Sequence, residues 1–182
     1  WRTGYETAEK YDSWDSNGYE RRFAKIAGSL YPIDDFRISY QFRVREEDEW
    51  LNWIQDNELA VYDLSQKIIS IDMNWYKGIK HEIRLKSQFV ALEAKNPKSL
   101  SVDKSGYLLN ANNQVNSFTE GITSFQVRYK YEIAPLSYFY LVYTRGGSIY
   151  DDENERNTSK IFRDPWENPD NEIFSLKFRL KY

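Results

Sequence analysis

The feature that most constrains this chain is a strict two-residue alternation that returns five times. Phe36, Ile38, Tyr40, Phe42 and Val44 alternate with Arg37, Ser39, Gln41 and Arg43. Ile69, Ile71, Met73 and Trp75 alternate with Ser70, Asp72 and Asn74. Ile83, Leu85, Ser87, Phe89 and Ala91 alternate with Arg84, Lys86, Gln88 and Val90, and Phe125, Val127, Tyr129, Tyr131 and Ile133 with Gln126, Arg128, Lys130 and Glu132. The last nine residues repeat the pattern: Phe174, Leu176, Phe178, Leu180 and Tyr182 bracket Ser175, Lys177, Arg179 and Lys181. Successive side chains of a strand point to opposite faces, so these stretches predict strands that are greasy on one side and cationic on the other.

Two further strands are less regular. One runs from Phe23 to Tyr31, with Ala24, Ile26, Gly28 and Leu30 on one face; the other, SYFYLVYTR at 137–145, is apolar on both. An eighth is expected within residues 1–10. The pattern suggests neither a helix nor a sequence repeat.

The connections carry the topology. YPIDD (31–35), YKGIK (76–80) and IAPLS (133–137) read as tight turns punctuated by Pro, Gly or Asp. Between them lie long connections at about 45–67, 93–122 and 146–171. Short and long connections alternate, which gathers the tight turns at one end of the strands and the long loops at the other. That is the layout of an outer-membrane β-barrel. The alternating stretches come close to the roughly 9–11 residues that a tilted strand needs to cross a bilayer. Aromatic residues gather beside the short turns: Tyr31, Phe36, Trp75, Tyr76, Tyr131, Tyr138 and Tyr182. Amphipathic rings favour the headgroup level, so these read as an interfacial girdle.

Composition agrees where it speaks. Aromatic residues make up 17% of the chain although its mean hydropathy is −0.77, which suits amphipathic strands better than a dry core. No apolar run is long enough for a transmembrane helix. The net charge of −3 gives no argument for nucleic acid, and the absence of cysteine removes disulfides and thiolate metal sites. The sequence opens at Trp1 without an initiator Met or a signal peptide, so a mature or truncated product is expected.

The stretch FQVRYKYEIAPLSYFYLVYTRGG, followed by NEIFSLKFRLKY, resembles the end of a family of bacterial outer-membrane β-barrels without an assigned activity. Full-length members carry an N-terminal β-sandwich similar to family-nine carbohydrate-binding modules. The likeness is tightest over Phe125–Gly147 and the last dozen residues. It implies that this chain is the C-terminal part of a larger barrel, set in the outer membrane of a Gram-negative bacterium. It also implies contact with lipopolysaccharide, with the barrel-assembly machinery through the final strand, and with an upstream sandwich or further strands of the same protein. Leu180 and Tyr182 fit the terminal pattern of such proteins, whereas Lys177 stands where a small residue is usual.

The expected fold is therefore all-β: an antiparallel, up-and-down transmembrane β-barrel region over residues 1–182, with about seven or eight strands in this chain. Phe36, Ile38, Tyr40, Phe42, Ile71, Trp75, Leu85, Phe89, Phe125, Val127, Tyr129, Phe174, Leu176, Phe178, Leu180 and Tyr182 are expected to face lipid. Arg37, Arg43, Arg84, Lys86, Arg128, Lys130, Lys177, Arg179 and Lys181 are expected to face the lumen, where only Asp72, Glu82 and Glu132 oppose them. An eight-stranded barrel is filled by its own side chains. Burying so many unpaired cations there would cost several kcal/mol each. A wider, wet lumen, or acidic groups from elsewhere, is the expected answer.

The expected role is a pore, a transport component or a surface-binding component, with no enzymatic activity and no cofactor or metal. The rivals are a soluble, lipocalin-like eight-stranded ligand-binding barrel with its apolar face inward, and a barrel enzyme such as a rim protease or lipase. The basic face could favour anions or form a structural network with acidic partners. Trp50, Trp53 and Trp166, placed in long loops, could stack on sugars, the plainer role being girdle or loop packing. Glu46, Glu47, Asp48, Glu49, Asp56 and Glu58 make an acidic cluster, as does DDENE at 151–155, and both read as solvated loops. His81, the only histidine, could formally join a Ser–His–Asp site but reads as a surface or lumen residue. Gly146 and Gly147 read as a strand end or bulge.

Overall fold

The computed structural model describes residues 2–7, 20–152 and 157–181. The strands are β1 (Arg2–Thr7), β2 (Glu20–Ile33), β3 (Phe36–Gln55), β4 (Glu58–Lys77), β5 (His81–Val102), β6 (Leu108–Asn110), β7 (Phe118–Ala134), β8 (Ser137–Asp151) and β9 (Asn171–Arg179). One helix, α1 (Thr158–Glu167), lies between β8 and β9. All strands join one antiparallel sheet in the order β1-β2-β3-β4-β5-β7-β8-β9, with the three-residue β6 paired to the end of β5. Each strand of the main path pairs with its neighbour along the chain, so the topology is an up-and-down meander. The sheet does not close: β1 and β9 stand at its two edges. Among the described residues the strands form an open antiparallel sheet and not a closed barrel; the expectation from sequence is that they are part of a larger one.

The short turns fall where Pro, Gly and Asp predicted them, at 34–35, 78–80 and 135–136. Gly78 takes a φ of +60°, which a residue without Cβ adopts freely. These turns also tie neighbouring hairpins together: the Tyr76 amide donates to Asp35 (2.8 Å) and the Glu132 amide to Lys80 (2.8 Å).

The long connections differ from expectation. Residues 45–67 are not a loop but the outer part of the β3–β4 hairpin, turned by Asp56 and Asn57 alone. β5 likewise runs on to Val102 and β8 to Asp151. The alternation was hard to follow there because three irregularities interrupt the ladder, between Glu47 and Trp50, Trp53 and Gln55, and Val61 and Asp63. Each irregularity shifts the two-residue count.

Polarity also inverts along the strands. Over Phe36–Val44 of β3 and its partners, one face is apolar and the other polar. Beyond that belt the polar face turns apolar, through Leu64, Tyr62 and Ala60 of β4, Ala94 of β5 and Phe118 of β7, all buried. On the formerly apolar side stand Glu46, Asp63 and Lys95, all exposed. The main buried cluster, Ala60, Tyr62, Ala94 and Phe118, sits at this outer end, with Trp50, Leu92 and Val115 packed against it. Val115 comes from the segment 111–117, which therefore folds over the same face.

The helix α1 was not visible in the pattern. Asn157 caps it, its side chain accepting from the Lys160 amide (3.0 Å). α1 lies on the apolar face of the sheet. Ile161 and Pro165 are buried, and their carbonyls rest directly on Gly121 and Gly147. A Cβ at either glycine would overlap these carbonyls. Gly147 is thus neither a strand end nor a bulge; Gly146 and Gly147 lie within β8, and Gly147 is the seat of a helix. Replacing Gly147 with Leu should lift α1 and leave the sheet paired. Limited proteolysis should then cut within 157–170 at least tenfold faster, with unchanged far-ultraviolet circular dichroism of the strands; unaltered cleavage would remove this role for the glycine.

Candidate functional site

The sheet offers two contrasting faces, and the register fixes what each presents. On the apolar face, cross-strand rows run almost the full width. One row is Phe36, Trp75, Ile83, Tyr129, Leu141 and Leu176. The next is Leu30, Ile38, Met73, Leu85, Val127, Tyr143 and Phe174, and beyond it come Ile26, Phe42, Ile69 and Phe89. Tyr40, Ile71 and Phe125 share a row between them. The residues expected to face lipid therefore lie on one face, together with Phe178; Leu180 follows the end of β9, and Tyr182 lies outside the described residues.

Part of this face is bare and the rest is half-buried. Ile26, Leu30, Phe42, Val44, Ile71, Phe174, Leu176 and Phe178 are exposed, Phe178 at 63%. At the turn end the face finishes in aromatics. His81 stacks against Tyr129 and Tyr131 (centroids 5.9 and 4.8 Å), its Nδ1 lies 2.7 Å from the Tyr129 hydroxyl, and Phe139 packs on Phe178 (5.2 Å). His81 thus sits in an aromatic row, with a phenol as its partner. Tyr76 and Tyr138, grouped with the girdle from sequence, share the opposite face with Glu82 and Arg179.

At the other end the face is covered by α1. Trp166 packs on Phe125 (5.6 Å) and Phe89 (6.3 Å), and Phe162 on Phe89 (6.5 Å). Arg145 donates to the Trp166 carbonyl from Nε (3.2 Å) and Nη2 (2.8 Å) and stacks over its ring (5.1 Å). Lys67 donates to Thr158 (2.8 Å), which donates in turn to Glu93 (3.0 Å).

The three candidate ligand tryptophans are not brought together. Trp50 is half-buried in the outer cluster beside Tyr62 (6.2 Å) and Phe118 (6.4 Å), and burial pushes the Tyr62 phenol above its ordinary range. Trp53 is exposed at the hairpin tip, where its indole donates to the Asp56 carbonyl (3.1 Å), and Trp166 belongs to α1. The acidic residues of 46–58 are likewise dispersed. Glu47 is buried and paired with Arg21 and Arg45, Glu49 accepts from Lys98, and Glu58 from Asn113 and Gln55. In the DDENE stretch, residues 153–155 lie outside the described residues.

The opposite face carries the polar rows. Its middle is Ser29, Ser39, Asp72, Lys86, Gln126 and Thr144, followed by Gln41, Ser70, Gln88 and Ser124. Depressions of about 550 and 330 Å³ lie over these residues. Toward the turns the face becomes cationic: Arg37, Arg84 and Arg128 form one row, Lys130 and Lys177 belong to the next, and Arg179 follows opposite Tyr138. Arg43 lies on the same face toward the outer end, and Lys181, beyond β9, donates its amide to the Ser137 hydroxyl (3.1 Å). Sequence reasoning found both faces but missed α1 and the inverted outer cluster, whose alternation is broken by the ladder irregularities.

No family model matches the chain, and comparison with curated proteins and with solved structures returns no match. Truncating Phe118 to Ala should destabilise the outer β5–β7 ladder by about 3 kcal/mol. Hydrogen exchange at Leu92–Ala94 should accelerate accordingly while Ile83–Ser87 keeps its protection.

Proposed function

We propose that this chain is part of the wall of a bacterial outer-membrane β-barrel, with the apolar face toward lipid and the polar face toward a water-filled lumen, serving as a pore, transport or surface-binding component. One observation carries the reading: an apolar surface running across β2–β9 that, among the described residues, only α1 covers, at one end. Soluble monomers rarely expose contiguous apolar patches beyond a few hundred Å². The belt is about nine residues tall on β3, near the roughly 9–11 required for a tilted crossing. Aromatics at the turn end and Trp166 at the other bracket it, as headgroup-level rings would. Closure requires the edges of β1 and β9 to be paired, with further strands or with each other.

A soluble lipocalin-like barrel would fold the same apolar face inward. The position of α1 weighs against this. An eight-stranded barrel has room for its own side chains or one small ligand, and α1, lying on the apolar face, would have to fit inside it.

The chain has no cysteine, so single cysteines can be placed along β9 without interference. Spin labels at Phe174, Leu176 and Phe178 should collide with oxygen dissolved in lipid. Labels at Ser175 and Lys177 should instead meet a water-soluble nickel reagent. Uniform access of the water-soluble reagent to both sets would refute the membrane reading.

A further inference from the structure

The cationic face contains an arrangement that a plain solvated surface does not require. Arg84 and Arg128 are direct cross-strand partners on β5 and β7, and Arg37 lies in the same row, two strands away across Asn74. Directly opposed side chains have Cβ atoms about 5 Å apart, and like charges so placed repel. Local carboxylates only partly answer this. Glu82 pairs with both Arg84 and Lys130 (3.7 Å to Lys130), so one carboxylate serves two cations. Among the described residues neither Arg37 nor Arg128 has an ion pair, and Lys177 lies one row beyond Arg128. A depression of about 410 Å³ lies over this part of the face, lined by Arg37, Asn74, Tyr76 and Arg84. Asp34 and Asp35 line it as well, whereas Arg128 lies beside Arg84 outside it.

We infer that the Arg37, Arg84 and Arg128 row is a binding site for a phosphate oxyanion, free or carried by a solute. The inference names a ligand class for the lumen of the proposed barrel, yet the site itself depends only on the sheet register. A phosphate offers at least three free oxygens, enough to accept from two guanidinium forks on adjacent strands at once; the two coplanar oxygens of a carboxylate suit a single fork. Rings of Arg and Lys are a known device for anion and phosphate selectivity. Bound phosphate relieves the Arg84–Arg128 repulsion and needs no movement of backbone.

Calorimetric titration of the full protein in detergent with inorganic phosphate tests the site, with chloride held constant. Saturable binding is expected. Arg128→Gln should weaken it about tenfold or more, as loss of a charge-assisted hydrogen bond does, and Arg37→Gln, two strands from Arg84, should weaken it less than Arg128→Gln. Lys86→Gln, one row away, should change it less than threefold. Arg128→Lys keeps the charge but loses the fork, and should recover only part of the affinity. Titrating a phosphomonoester in parallel tells free from carried phosphate, tighter binding of the ester assigning the site to a phosphate-bearing solute. Absence of saturable binding overturns the proposal, as does equal weakening by Lys86→Gln, which would reduce the row to a diffuse positive field. The lipid reading is judged separately by the spin labels, so failure of one does not imply failure of the other.

Discussion

Everything in this structure depends on the pleat of the sheet. Backbone pairing commits alternate side chains to opposite faces, and in this chain the two faces want different solvents. A one-residue slip of any central strand would move Phe42 or Phe89 to the face of Arg43 and Lys86. Register is therefore specified by the chemistry of both faces at once. The paired ladders of β3, β4 and β5, running unbroken through the belt from Phe36 to Glu47, express that constraint.

The place where the pattern inverts is as informative as the place where it holds. Past Val44 the face that was apolar carries Glu46, and past Ala91 it carries Glu93 and Lys95. On the other side Tyr62, Ala94 and Phe118 take over as a small dry core. A strand that crosses from hydrocarbon into water would need this exchange: outside the bilayer its outward side chains meet water, and its stability must come from burial on the inner side. α1 belongs to the same transition. It rests where the apolar belt ends, covering Phe89 and Phe125 and turning Ser159, Lys160 and Arg163 toward solvent. Its approach is close because β7 and β8 present no side chain at Gly121 and Gly147.

These contrasts explain what could be read from the chain. The main strands, the order of the tight turns and the division of Phe36–Val44 or Phe174–Arg179 into two faces were legible, because alternation is a local property, whereas the three-residue β6 was not. The outer hairpin of β3 and β4 was not. Its irregularities near Asp48, Ile54 and Tyr62 desynchronise the count, and its acidic residues imitate a loop although Glu47 is a buried ion-pair partner. The helix escaped notice because it is short, includes Pro165 and gains its stability from the sheet beneath it. Gly147 read as punctuation when its meaning was tertiary. Of the candidate surface, the arginines were identified by residue; that Arg84 stands opposite Arg128 required the register.

The open edges extend the argument. An exposed strand edge presents a row of backbone donors and acceptors, and in hydrocarbon each unsatisfied group costs several kcal/mol. If the apolar face meets lipid, β1 and β9 cannot stay unpaired, and each must pair with the other or with strands from the same protein or a second copy. In such a barrel, added strands would widen the enclosure, and width would suit the charge of the polar face. A narrow barrel would press Arg37, Arg84, Arg128 and Lys130 into a dry interior with Glu82 as their main counter-charge. A wider one hydrates them and leaves room for an anion between the two opposed arginines. If the apolar face meets lipid, edge pairing and the charge of the polar face, which arise from unrelated parts of the structure, would both favour a wide enclosure.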